Sequence, residues 1–167
     1  MADWKAVEER GYQAHDEDSK INALQGFLEN QPPESIYFAV AVIGDVSETW
    51  IVRAEACRFI RDVEFSDWEQ TRLCEVVTAI LVDPNEDFTL QQWAAFLVNK
   101  CLSSEKLVDV AIRYLSKSGN REEVTWNIIE SLDEADTISD SLRSKLENAF
   151  LLQTDERIKA GLRKVLG

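Results

Sequence analysis

The sequence repeats itself at an interval of 34 to 38 residues, and this repeat limits the possible folds more than any other feature. The stretch IGDVSETWIVRAEACRFI begins at Ile43, and a similar stretch, LVDPNEDFTLQQWAAFLV, begins 38 residues later at Leu81. Two further shifts of 34 residues carry the same apolar pattern along the chain. The aligned apolar positions are Val52, Leu90, Val124 and Ile158, and again Ile60, Val98, Leu132 and Leu166. An interval of this length is typical of stacked helix pairs.

Within each repeat, apolar residues recur at intervals of three and four, as they do in helices that bury one side. Glycine and proline, which interrupt helices, are scarce, with six and three residues. The pattern predicts ten helices with short connections, and short connections make neighbouring helices antiparallel. The predicted fold class is therefore all-α. We expect an α-solenoid of about five antiparallel helix pairs, in which one helical repeat domain covers residues 1–167.

Several helix boundaries are marked by residues with capping side chains. The first predicted helix, WKAVEERGYQA, covers residues 4–14. Ser47, Asp87 and either Ser103 or Ser104 precede later helical segments, and their side-chain oxygens suit the first backbone N–H groups of a helix. The segment after Asp87 predicts one continuous helix over 88–102.

The second helix of the unit that begins near residue 45 carries a motif. An aspartate turn is followed by a Val-Arg pair, a small residue and an aliphatic residue: Asp45, Val52-Arg53, Ala56 and Ile60. In these residues the chain resembles the HEAT-repeat family. The unit at Asp83 keeps the pattern with Leu90-Gln91 in place of Val-Arg. The resemblance implies stacked helix pairs but no particular chemistry, since this fold hosts scaffolds, transport factors and some enzymes.

The net charge of −13, from 31 acidic and 18 basic residues, is strongly acidic. This balance disfavours direct binding of nucleic acid, which requires cations for the phosphates. The acidic surface either keeps the protein soluble or steers it toward a basic partner. No apolar run approaches the roughly 20 residues of a membrane-crossing helix. The polar start MADWKAVEER also lacks the apolar centre of a signal peptide, so we expect a cytoplasmic protein that does not bind membranes.

Residues that carry catalytic or metal chemistry are few. The one histidine, His15, stands in AHDEDS, whose carboxylates suit a helix N-terminus better than a metal ion. Cys57, Cys74 and Cys101 form no CxxC pair, and we expect them to be reduced thiols in the core. The chain contains no nucleotide-binding, hydrolase or metalloprotease motif. The sequence thus predicts no catalytic residue, no metal site and no cofactor.

A surface for binding another protein is predicted from the repeat register. In a stack of this kind the second helix of each pair lines the concave side, with Val52, Ala56 and Ile60 facing the first helices. The residues that point the other way in three successive units are Glu55, Arg58 and Asp62, then Trp93, Phe96 and Lys100, then Asn127, Glu130 and Glu134. In this register Trp93 and Phe96 form an apolar centre flanked by carboxylates, which resembles a protein-binding hot spot. The alternative is that both rings only pack between adjacent repeats.

These features favour a non-catalytic protein-binding module over an enzyme. A short, acidic, stand-alone HEAT-like solenoid looks like a bacterial immunity protein, which neutralises a toxin domain, often a basic nuclease, by covering its active site. The first alternative is a scaffold or assembly adaptor that binds a helix or a peptide along the groove. The second alternative is an enzyme of the HEAT-like DNA glycosylase or bilin-lyase type. The acidic charge disfavours the glycosylase, and nothing in the sequence favours the lyase.

Overall fold

The computed structural model of the protein describes residues 16–30, 34–63, 67–117 and 121–167. Over these ranges all regular secondary structure is helical, which confirms the predicted all-α fold class. Its elements are α1 (Glu17–Asn30), α2 (Glu34–Gly44), α3 (Trp50–Arg61), α4 (Asp67–Val82), α5 (Phe88–Ala95), a 3₁₀ segment (Val98–Cys101), α6 (Glu105–Ser116), α7 (Glu122–Asp133), α8 (Asp140–Leu152) and α9 (Glu156–Leu166). The helix predicted over 4–14 lies outside the described residues. Among the helices just named, none is both long enough and apolar enough to cross a membrane.

Local hydrogen bonds explain where the helices begin. As predicted, Asp87 caps α5 by accepting two backbone N–H groups of the first turn, and Ser104 caps α6. At α3 the prediction is wrong by two residues, because Thr49 is the cap. The hydroxyl of Ser47 instead donates to the carboxylate of Asp45 at 2.6 Å, inside the turn that precedes the helix.

Residue contacts group the chain into two compact units, one ending at Arg72 and the other beginning at Leu73. In the first unit α3 packs on both α2 and α1. The connection between α2 and α3 is only residues 45–49, so the two helices form an antiparallel pair. The side chains predicted to face the first helix of the pair are fully buried: Val52, Ala56 and Ile60. The single domain expected over 1–167 stays a prediction.

In the second unit, helices of the same rank stack on each other. The first helices of two successive pairs, α6 and α8, pack together. The second helices, α5, α7 and α9, pack in sequence, α5 on α7 and α7 on α9. Within the pairs, α6 contacts α7 and α8 contacts α9. Stacking of first on first and second on second is the packing of an α-solenoid, as the repeat predicted.

Two aligned motif residues, Arg53 and Gln91, close the end of the preceding helix. The last carbonyls of a helix have no partner within it and must be satisfied elsewhere. The Nε of Arg53 donates to the carbonyl of Ile43 at 2.9 Å. The amide of Gln91 donates to the carbonyls of Ile80 at 2.9 Å and Asp83 at 2.8 Å. The repeat unit at Asp83 has a glutamine where the unit at Asp45 has an arginine, and both side chains have the same structural role.

The prediction of one helix over 88–102 is wrong. Helix α5 ends at Ala95, and the 3₁₀ segment follows after a two-residue turn. The hydroxyl of Ser131, on α7, donates to the carbonyl of Phe96 and accepts the N–H of Asn99, both at 2.9 Å. These bonds satisfy backbone groups at the break, so the chain leaves the α-helical path without exposing them.

The three cysteines are buried and form no disulfide bond, which confirms the predicted core thiols. Burial raises the pKa of the Cys101 thiol well above its ordinary value. A thiol with a raised pKa carries little of the reactive thiolate at neutral pH. Cys101 therefore acts as a small apolar residue.

Candidate functional site

The three predicted surface residues of the first unit lie at the C-terminal half of α3. Glu55 and Arg58 form an ion pair, with one guanidinium nitrogen 2.6 Å from a carboxylate oxygen and Nε 3.1 Å from the other. The hydrogen bond to Glu55 raises the pKa of Arg58. Asp62 is exposed and occupies the C-cap of α3. The charge of Asp62 also acts on Arg58, so both predicted carboxylates of this unit stabilise the same guanidinium.

Trp93 and Phe96 form the apolar centre that the register predicted. Their ring centroids are 5.7 Å apart and their planes are tilted by 51°. This geometry is favourable for two aromatic rings. Both side chains are half-buried, so each ring contributes to packing and also keeps a solvent-accessible part. The two interpretations from the sequence, core packing and a binding surface, are therefore compatible at these positions.

The remaining predicted residues lie in the 3₁₀ segment and at α7, the helix that packs on α5. The amide of Asn127 donates to the carbonyl of Gln92 at 3.1 Å and joins the two helices. Glu130 and Glu134 are exposed, and Glu134 is the C-cap of α7. Lys100 is half-buried in the 3₁₀ segment. The predicted residues of the second unit thus lie in or beside α5, the 3₁₀ segment and α7, and their grouping into one binding surface stays a prediction.

The second unit also contains a cavity of about 550 Å³ that the sequence did not predict. Its walls are the end of α4, the turn that follows, α5, α6 and the residue before α7. Three cationic side chains line it, Arg113, Lys117 and Arg121, against the single carboxylate of Asp83. This charge is opposite in sign to that of the whole chain. A local signal exists in the sequence, since VAIRYLSKSGNR, residues 110–121, holds three cations and no carboxylate.

Arg121 has the most unusual geometry of the cavity residues. It precedes α7 with a φ of 54°, in the left-handed region that non-glycine residues rarely adopt. One terminal nitrogen, Nη2, donates to the carbonyl of Pro84 at 2.9 Å. The other, Nη1, is buried and has no hydrogen-bond partner among the residues that the structure describes. A buried N–H without a partner is uncommon and marks a place where an acceptor is missing.

Tyr114 crosses the same cavity from α6. Its hydroxyl donates to the carbonyl of Leu81 at 2.9 Å. Burial raises the pKa of Tyr114, while the positive charges of Arg121 and Arg113 oppose that rise. At neutral pH the hydroxyl is therefore protonated and serves as a donor that fixes α6 against α4.

Metal binding has no candidate in the part of the chain that the structure describes. There, no three side chains of the His, Cys, Asp and Glu types are placed to hold one ion. In comparisons with known proteins, no family model and no curated protein matches this chain.

Proposed function

We propose that the chain is a HEAT-like, non-catalytic protein-binding module of the cytoplasm, and more specifically an immunity protein that neutralises a basic toxin domain. The observation that carries the proposal is the Trp93–Phe96 pair. Two aromatic rings in contact, each partly accessible, lie on a second helix of the stack. Rigid aromatic side chains of this kind provide much of the binding free energy at protein interfaces.

The surroundings of the aromatic pair favour a basic partner. Helix α7, which packs on α5, carries the exposed carboxylates Glu130 and Glu134. A rim of carboxylates attracts cationic side chains of the partner and holds the two proteins in register. The net charge of −13 adds a long-range attraction that accelerates encounter. A nuclease-type toxin domain, which uses cations to bind nucleic acid, has the complementary charge.

The test is binding to a basic nuclease-type toxin domain encoded beside the gene for this chain, measured by titration calorimetry and by association kinetics. We expect a 1:1 complex whose association slows as salt is raised. Glu130→Gln should reduce the association rate by about twofold to fivefold, because it removes one rim carboxylate. Glu147→Gln is the matched control, since it removes one exposed carboxylate from α8, a first helix. It should leave the affinity within about twofold.

A second variant addresses the aromatic centre. Trp93→Ala should weaken the complex by more than about tenfold, as expected for a hot-spot residue. Its thermal midpoint must be measured in parallel, because the ring is half-buried and also packs on Phe96. Equal affinity of wild type and Trp93→Ala for the toxin domain, or no binding at low ionic strength, would overturn the immunity proposal. Weak, salt-insensitive binding of many unrelated helices would instead favour the adaptor function.

A further inference from the structure

The cavity of the second unit has the charge and the geometry of a binding site for a small anion. Arg113, Lys117 and Arg121 all line it, and no acidic side chain pairs with any of the three within the described ranges. Three cations that have no carboxylate partner among the described residues surround one cavity, against the single carboxylate of Asp83 in its wall. Their charges favour an anion at this place, although the molecule as a whole is negative.

Within the described residues, the guanidinium of Arg121 has a hydrogen-bond partner at one terminal nitrogen and none at the other. Its Nη2 is held by the carbonyl of Pro84, and its Nη1 is buried without an acceptor in the described part of the chain. Guanidinium groups form strong, charge-assisted hydrogen bonds with carboxylate and phosphate oxygens. Arg121 lines the cavity, so its positive charge acts on an anionic group bound there. The backbone of Arg121 has a φ of 54° and occupies the N-cap of α7.

A second cavity residue, Gln91, also has a buried polar atom without a partner among the described residues. Its amide nitrogen is fully used by two helix-end carbonyls, while its Oε1 is buried without a donor in the described residues. Gln91 lines the same cavity. The cavity is thus lined by an amide as well as by cationic side chains, and a few polar groups in a pocket wall can orient a polar ligand.

The other walls determine the rest of the ligand. Leu81, Val82, Pro84 and Val110 provide apolar surface, and the Tyr114 ring adds an aromatic one. The volume of about 550 Å³ lies within the range of small-molecule sites, about 300–1,000 Å³, and far exceeds that of one inorganic ion. We propose that this cavity binds a small phosphate monoester with an apolar or aromatic body, its phosphate held by Arg113, Lys117 and Arg121. A doubly charged phosphate matches three cations better than a single carboxylate does.

The test titrates phenyl phosphate into the full chain and measures binding by calorimetry and by NMR. Inorganic phosphate and phenol, the two halves of this probe, are titrated separately for comparison. Phenyl phosphate should bind at least about tenfold more tightly than either half, because charge and apolar contact act together. Arg113→Gln and Lys117→Gln should each weaken binding by about threefold to tenfold. Both side chains are exposed, so neither change threatens the fold. Arg121→Met, which keeps an unbranched side chain but removes the guanidinium, should abolish most of the affinity.

The matched control is Lys106→Gln. Lys106 is an exposed cation on the same helix, α6, but it does not line the cavity. Its removal should change the affinity for phenyl phosphate by less than about twofold. The proposal is overturned if phenyl phosphate does not bind at about 10 mM, if Lys106→Gln weakens binding as much as Lys117→Gln, or if Arg113→Gln, Lys117→Gln and Arg121→Met all bind as the wild type does. The site shares no residue with the Trp93–Phe96 surface, so its failure leaves the protein-binding proposal unaffected.

Discussion

At the scale of single residues, buried polar side chains hold the helix ends together. Arg53 and Gln91 donate to carbonyls at the ends of α2 and α4. Gln153, which is almost fully buried, donates to the carbonyl of Leu115 near the end of α6 at 2.8 Å. Each of these side chains donates the hydrogen bond that water would otherwise donate to a carbonyl group, which the fold has buried. They explain why a chain built on apolar stripes keeps polar residues at these core positions.

Substitution of Gln91 should therefore cost stability. Gln91→Leu keeps the volume of the side chain but leaves two helix-end carbonyls, those of Ile80 and Asp83, without their donor. We expect a loss of about 1–3 kcal/mol in the free energy of unfolding, measured by urea titration. Gln92→Leu, at the neighbouring half-buried position, should lose less than half as much. If the two variants lose equal stability, the hydrogen bonds of Gln91 to the helix-end carbonyls do not contribute measurably to the free energy of unfolding.

At the scale of helices, α7 and α9 approach closely because residue 161 is a glycine. A Cβ placed on Gly161 would lie 3.0 Å from a methyl carbon of Ile129 and 3.1 Å from the Trp126 ring. These distances are shorter than ordinary contacts between carbon atoms. The glycine thus sets how deeply the last second helix can pack against its neighbour, at some cost in helix propensity.

A larger side chain at this position should push the two helices apart. Gly161→Val should destabilise the protein by about 1–3 kcal/mol through overpacking, measured as a shift of the thermal midpoint. Ala160→Val is the matched control on α9, because residue 160 is exposed and carries the same β-branched side chain after substitution. It should cost no more than about 0.7 kcal/mol, from helix propensity alone. A Gly161→Val protein as stable as the control would mean that α9 can move away freely.

The helices themselves could be predicted from the sequence because each follows from a local pattern. The period placed the pairs, and the aligned positions of Arg53 and Gln91 turned out to be structurally equivalent. The break after α5 could not be predicted, since it depends on Ser131, which lies 35 residues further along the chain from Phe96. Local pattern carries no information about such a distant hydrogen bond.

The candidate sites, like the helices, could be predicted from the sequence only where they depend on a local pattern. The register placed Trp93 beside Phe96 because both lie on one helical surface, near the C-terminal end of α5. The cavity, in contrast, requires four elements to meet and needs the left-handed backbone of Arg121. Only the run of cations without carboxylates over 110–121 hinted at it. A run of cations in the sequence shows where positive charge is concentrated along the chain. It does not show which of these side chains line the same cavity in the fold.

At the scale of the whole molecule, the dominant electrostatic feature is the excess of acid. Exposed ion pairs such as Lys145–Asp109 and Arg157–Glu122 connect neighbouring helices of the second unit. Such exposed pairs contribute little each, about 0–1 kcal/mol. The 31 acidic residues outnumber the 18 basic ones, so the carboxylates cannot all be matched one to one by cations. Repulsion among them opposes the compact state.

Salt should therefore stabilise this protein rather than destabilise it. Raising NaCl from about 20 mM to about 200 mM shortens the screening length from about 20 Å to about 7 Å, which weakens repulsion between distant carboxylates more than it weakens close ion pairs. We expect the thermal midpoint to rise by about 1–4 °C, measured by circular dichroism at constant pH. Glu147→Lys reverses one exposed charge on α8 and makes the net charge less negative by two, so its midpoint should respond less to salt. If the thermal midpoint falls with added salt, the ion pairs outweigh the repulsion between carboxylates. The acidic surface would then not lower the stability of the protein.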